Sequence, residues 1–145
     1  MERQWNNFRL RIGDFSMFKV FNMDKKIMQD RLKTLAINTA KICQQIPYDI
    51  INRVYINQII RCSSSSAANY RAACRGKSKP DFINKLRIVE EELDETMSFY
   101  EMLAEFNQDK KAEIRILFIE ANELLSIIIS TINTALKNSI KTSLK

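Results

Sequence analysis

A chain of 145 residues is the size of one domain with a single core, and two glycines and two prolines leave an all-β fold without the turn residues it needs, so the expected class is all-α. Lys+Arg number 23 against 17 for Asp+Glu, a net charge of +6 with a pI near 9.3, which admits an RNA, DNA or anionic-membrane partner without requiring one. The three cysteines, Cys43, Cys62 and Cys74, fit no metal spacing and no histidine exists to complete a zinc site, so they read as small core side chains in a reducing compartment.

Residues 1–22 carry Trp5, Phe8, Phe15, Phe18 and Phe21 without a sustained helical period. Arg3, Arg9, Arg11 and Asp14 interrupt the apolar run that a signal peptide would need. Two readings stay open for this stretch: an aromatic arm that docks on the rest of the chain, or an upstream extension with Met23 as the first residue. Residues 23–145 form the helical domain.

The first helix is predicted from about Asp24 to Ile46, stopped by Pro47, with Met28, Leu32, Leu35, Thr39, Ile42 and Ile46 repeating at the steps of a bundle seam. Asp49 is the expected N-cap of the second, whose seam reads Ile56, Ile60, Ser63, Ala67, Tyr70 and Cys74 before Gly76 ends it. Ser78 and Asp81 then make a capping box, with Pro80 in the first turn where its missing N–H does no harm. The third helix places Phe82, Leu86, Val89, Leu93, Thr96, Tyr100 and Leu103 on one side. Asn107 or Asp109 is expected to cap the fourth, with Ile114, Leu117, Ala121, Leu124, Ile128, Thr131 and Ala135 as its seam. The most apolar part of that helix, Leu124 to Leu136, is too short to span a bilayer, so no membrane role and a cytoplasmic location are expected.

Short connections between long amphipathic helices predict an antiparallel up-down-up-down four-helix bundle. The fourth helix carries a second apolar row, Phe118, Leu125, Ile129, Ile132 and Leu136, wider than one core requires. This row packs either under residues 1–22 or against another subunit. Ser63 to Ser66 with the alanines that follow make the second helix thin on one side, open to close approach by another helix. Ser64, Ala68, Phe118, Leu125, Ile129 and Ile132 are therefore the candidate surfaces of a homo-oligomer.

Helical geometry puts Arg53, Arg61, Arg71 and Arg75 on one flank of the second helix and Glu90, Asp94, Glu101 and Glu105 on the matching flank of the third. Arg61 comes level with Asp94 and Arg53 with Glu101, which predicts an interhelical charge zipper, within a subunit or across a ring interface. Around the turn, Arg71, Arg75, Lys77, Lys79, Lys85 and Arg87 remain with only Asp81 to offset them. They are either a solvated turn or the contact surface for the phosphates of RNA or DNA. No catalytic residue, metal ligand, cofactor or small-molecule substrate is expected. The serine run has no base to activate it, Glu90 to Glu92 read as a charged face, and Gly13 and Gly76 are too isolated for a phosphate loop.

The run SSSSAANYRAACRGKSKPDFINKLRIVEEELDETMSFYEML, residues 63–103, joins small residues to Asn69-Tyr70-Arg71, a lysine-bearing turn, Asp81-Phe82, Lys85-Leu86, and Glu95-Thr96 ahead of an aromatic pair. In that order and spacing it resembles the 23S rRNA-intervening-sequence proteins, also called the four-helix-bundle protein family. The resemblance implies a ring-like homopentamer of bundles without known enzymatic activity. A structurally similar accessory protein of diversity-generating retroelements extends the implication, by analogy, to nucleic-acid binding. The chain departs from the family pattern at Ala73, where an acidic residue often stands, and at Ser98-Phe99 in place of a Tyr-Trp pair.

Overall fold

The computed structural model describes residues 25–144; residues 1–24 and 145, and with them both readings of residues 1–22, lie outside the described residues. Four α-helices make up this part: α1 (Lys25–Cys43), α2 (Asn52–Ala73), α3 (Lys79–Phe106) and α4 (Lys111–Ser143), with a 3-10 turn at Gln108–Lys110 before α4. There is no strand among the described residues. α1 packs on α2, α2 on α3, α3 on α4 and α4 back on α1, so each helix lies between two neighbours around a shared core.

The seams of α1 and α3 follow the sequence pattern. Met28, Leu32, Leu35, Thr39, Ile42 and Ile46 are all buried, as are Leu86, Val89, Leu93, Thr96, Tyr100 and Leu103, with Phe82 half-buried at the helix start. The α2 seam is rotated from expectation, whereas the α4 seam is widened: Ile114, Ala121, Leu124 and Ile128 are buried as expected, with Leu117, Thr131 and Ala135 half-buried. In α2 the buried positions are Ile56, Ile59, Cys62, Ser63, Ser66, Tyr70 and Ala73, whereas Ile60 is 37% exposed and Ala67 and Cys74 are half-buried. In α4 Phe118, Leu125 and Ile132, expected on an outer row, belong to the core beside Ile114, Ala121, Leu124 and Ile128. By length and composition α4 and its preceding turn could cross a membrane, and 44% of their most apolar stretch is buried in the bundle.

The helix ends are tied in specific ways. Asp49 Oδ1 accepts from the N–H groups of Ile51 and Asn52 at 3.0 and 2.8 Å, the cap expected of it. Ser78 Oγ accepts from the Asp81 N–H at 3.3 Å, while the Asp81 carboxylate takes the Lys77 backbone N–H. A Cβ on Gly76 would stand 3.0 Å from both the Ala73 carbonyl oxygen and Asp81 Oδ2, so close approach is what requires glycine here. Neither Asn107 nor Asp109 caps α4, which begins without a side-chain cap. Asn107 is buried instead, and its amide exchanges hydrogen bonds with that of Asn52 at 2.8 and 3.0 Å, tying the start of α2 to the end of α3.

Several polar side chains inside the bundle hydrogen-bond across or along the helices. Thr39 and Tyr100 hydrogen-bond across the core between α1 and α3. Thr96 Oγ1 donates to Cys62 Sγ at 3.1 Å, and Ser66 Oγ donates to the Ser63 carbonyl at 2.7 Å. Two of the four consecutive serines are thus core residues whose small size admits the neighbouring helices. Arg31 reaches from α1 to α4, where Glu120 accepts two hydrogen bonds at 2.8 Å and Glu123 lies 3.3 Å away. The hydrogen bond to Glu120 holds the guanidinium above its ordinary pKa against the opposing effect of partial burial.

Candidate nucleic-acid interface

The six basic residues around the α2–α3 turn do not form one patch. Arg75, Lys77 and Lys79 are exposed on the turn itself, and none has a carboxylate within ion-pair distance among the described residues. Lys85 is different, because its ammonium lies 2.6 Å from Asp81 Oδ1 one helical turn back. That contact draws the Asp81 carboxyl below its usual range and spends the one acid close to the turn on an intrahelical pair. Arg87 faces away, lining a groove of α3 and α4 with Glu90, Glu91, Asp94, Leu125 and Ile129, so its surroundings are acidic.

Arg71 faces a different helix. It lines a groove of 420 Å³ between α1 and α2 together with Lys26, Gln29, Asp30, Lys33, Ala67 and Ala68. The bundle brings Lys25 to the same end, its ammonium 5.9 Å from the Phe82 ring centroid. Sequence reading missed Lys25, Lys26 and Lys33 because they lie some 40 residues from the turn. The available signal was the Lys25-Lys26 pair one turn ahead of the first seam residue.

Within one chain, Arg61 links α2 to the acids of α3. Arg61 pairs with Glu95 at 2.7 Å and Glu92 at 3.4 Å rather than with Asp94, and the Glu95 hydrogen bond raises its pKa. Arg53 has no ion pair among the described residues. Of the residues expected at a subunit interface, Ser64 and Ala68 are exposed and Ile129 is half-buried. Phe118, Leu125 and Ile132 are already buried within one chain at 0, 5 and 4% exposure, so they have almost no area left to bury against a second copy. Exposed apolar side chains collect elsewhere: Tyr48, Ile50, Ile51 and Val54 at the start of α2 with Met102 and Phe106 at the end of α3. Tyr55 lies between the Phe99 and Phe106 rings beneath them, at centroid separations of 6.2 and 6.0 Å.

The model of the 23S rRNA-intervening sequence protein family matches residues 24–130, which covers all of α1 to α3 and the buried two thirds of α4. The chain belongs to that family. It is similar to a crystal structure from Bacteroides thetaiotaomicron VPI-5482, described as a protein of unknown function from the S23 ribosomal protein family. The two share 26% identity over 77% of this chain and 99% of the other, with a TM-score of 0.66. No curated protein matches. The family places the four helices in a recognised group, and its description assigns no enzymatic activity. What the arrangement can do chemically lies in its surface, where Arg75, Lys77 and Lys79 have no ion pair among the described residues.

Proposed function

We propose that this family member is a non-enzymatic, homo-oligomeric bundle, its helices alternating up-down-up-down, that presents the α2–α3 turn to the phosphate backbone of RNA or DNA in the cytoplasm. The observation that carries the reading is the state of Arg75, Lys77 and Lys79: three adjacent exposed cations, with the nearby Asp81 already engaged by Lys85. Cations without a carboxylate partner keep their full attraction for phosphate, and several copies in an oligomer would repeat the patch around a rim. The pentameric ring is the assembly that the sequence resemblance implies.

The test is the double variant Lys77→Glu, Lys79→Glu, measured by RNA and DNA gel shift over a series of salt concentrations. It should weaken binding to all sequences alike, because phosphate contacts position without reading bases. Each lost contact should lower the slope of log affinity against log salt by about 0.7 for single strands and about 0.9 for duplex. Unchanged affinity at low salt, with the oligomer intact, would leave the second reading, a structural or protein-interaction oligomer. That reading is favoured by the exposed apolar group of Ile50, Val54, Met102 and Phe106.

A further inference from the structure

The groove between α1 and α2 has a floor of Ala67 and Ala68 and a wall of cations. Lys26 and Lys33 stand seven residues apart on α1, two helical turns and about 10 Å along its axis, so they share a face. Arg71 closes the groove from α2. Among the described residues one carboxylate, Asp30, faces these three cations, and Lys26 engages it at 2.5 Å. Lys33 and Arg71 have no ion pair among the described residues. Packing another helix on this floor would require removing Lys33 and Arg71 from water with no counter-charge, a strongly unfavourable step. An anion entering the groove meets no such penalty, and it gains the charge-assisted hydrogen bonds that the cations offer.

The shape narrows the class of anion. Adjacent helices lie about 8–10 Å apart, so the groove over their junction is too narrow to admit a duplex, which could touch only its rim. A volume of 420 Å³ does fit the sugar-phosphate units of an extended strand. Among the described residues no aromatic side chain lines it, so these residues offer no platform for stacked bases. We infer that the α1–α2 groove is a single-strand track, in which Lys33 and Arg71 hold successive phosphodiesters of a strand that continues onto the Arg75–Lys79 turn. This rests on the reading that the turn binds nucleic acid, and it adds which form of nucleic acid binds and by what path.

The test uses fluorescence anisotropy of the full chain with a labelled 20-nucleotide oligothymidylate and with the same strand annealed to its complement, at several salt concentrations. Two groove variants are compared with the Lys77→Glu, Lys79→Glu turn variant: Lys33→Glu, Arg71→Glu, which reverses the charges, and Ala68→Leu, which fills the floor and leaves every charge in place. Both groove variants change exposed positions, and circular dichroism and light scattering check helix content and mass. The charge variant should lose roughly tenfold in single-strand affinity at low salt and about 0.7 of salt slope per lost contact, with duplex affinity unchanged. Ala68→Leu should weaken the single strand and leave the duplex alone. If the turn variant weakens both probes while neither groove variant affects the single strand, the groove inference fails and the proposed function stands. If the wild-type protein binds neither probe, both fall. If Ala68→Leu lowers the oligomer mass, or poly-glutamate competes as well as the oligonucleotide, the groove is a protein contact and the single-strand track is overturned.

Discussion

Cys43 and Cys62 are the side chains whose chemistry the fold changes most. Burial pushes both thiols up from 9.0 to about 11; for Cys62 the hydrogen bond from Thr96 opposes burial without cancelling it. Tyr100 is raised in the same direction by burial, against its hydrogen bond with Thr39. In all three the charged form is the deprotonated one, so a raised folded-state pKa means that the unfolded chain releases its protons first. As pH climbs past 9 the unfolded state binds fewer protons than the folded state, and stability must fall. The expected result is a denaturant midpoint that is flat just below pH 9 and declines from pH 9 toward about 11, with a shallower decline in a Cys43→Ala, Cys62→Ala variant compared with its own neutral value. A decline of the same steepness in that variant would mean that the two thiols are not the groups responsible. The neutral thiols also make poor nucleophiles, which leaves half-buried Cys74 as the accessible target for alkylation of the native protein.

Rotation of a helix about its own axis is harder to read from sequence than its existence, and α2 makes the point. Ile59 and Ile60 are adjacent, as are Cys62 and Ser63, so two neighbouring rows about 100° apart both satisfy the seam spacing. Only the partner helices decide between them, and they bury Ile59 at 0% exposure while Ile60 remains at 37%. The consequence is measurable. Ile59→Ala should cost about 2–5 kcal/mol through lost burial and a residual cavity, and Ile60→Ala about 1 kcal/mol or less, read as shifts in the urea midpoint. Equal costs would put the seam back between the two rows. α4 has the same degeneracy at Leu117-Phe118, Leu124-Leu125 and Ile128-Ile129, and there the partner helices bury most of the expected seam together with Phe118, Leu125 and Ile132 of the row beside it. α1 and α3 were legible because charged or polar residues flank most of their seam positions, such as Leu32 between Arg31 and Lys33 and Leu93 between Glu92 and Asp94, leaving one row to choose. The turn's cations were legible for a similar reason, being contiguous in sequence. The α1–α2 groove and the Asn52–Asn107 pair were not, since each joins segments some 40 or more residues apart.

Assembly is where the exposed apolar residues have to be explained together. One group, Tyr48 and Ile50 of the connection ahead of α2, Val54 on α2, and Met102 and Phe106 on α3, has Ile50 75% and Phe106 52% exposed. A second lies on α1 and α4, where Ile27 and Ile116 line a groove of 490 Å³, Ile116 is 68% exposed, and Ile119 stands one turn further on. In the cyclic order of the four helices the α2–α3 and α1–α4 sides are opposite each other. A two-fold dimer needs one self-complementary patch, whereas a ring of more than two subunits needs two different patches that meet head to tail. Two separate apolar patches on opposite sides suit the ring, and they leave the α1–α2 groove outside both junctions. On this reading Ile50→Lys and Ile116→Lys each remove one half of every junction, because a lysine there cannot be buried without a partner. Each variant alone should run as a monomer by light scattering, with helix content unchanged. Mixed together they should form dimers and nothing larger, since one intact α2–α3 patch can meet one intact α1–α4 patch and no further junction is possible. If Ile50→Lys breaks the assembly and Ile116→Lys does not, the contact is two-fold through the α2–α3 patch; wild-type mass in both variants would move the interface to the Ser64–Ala68 stripe or to residues 1–24.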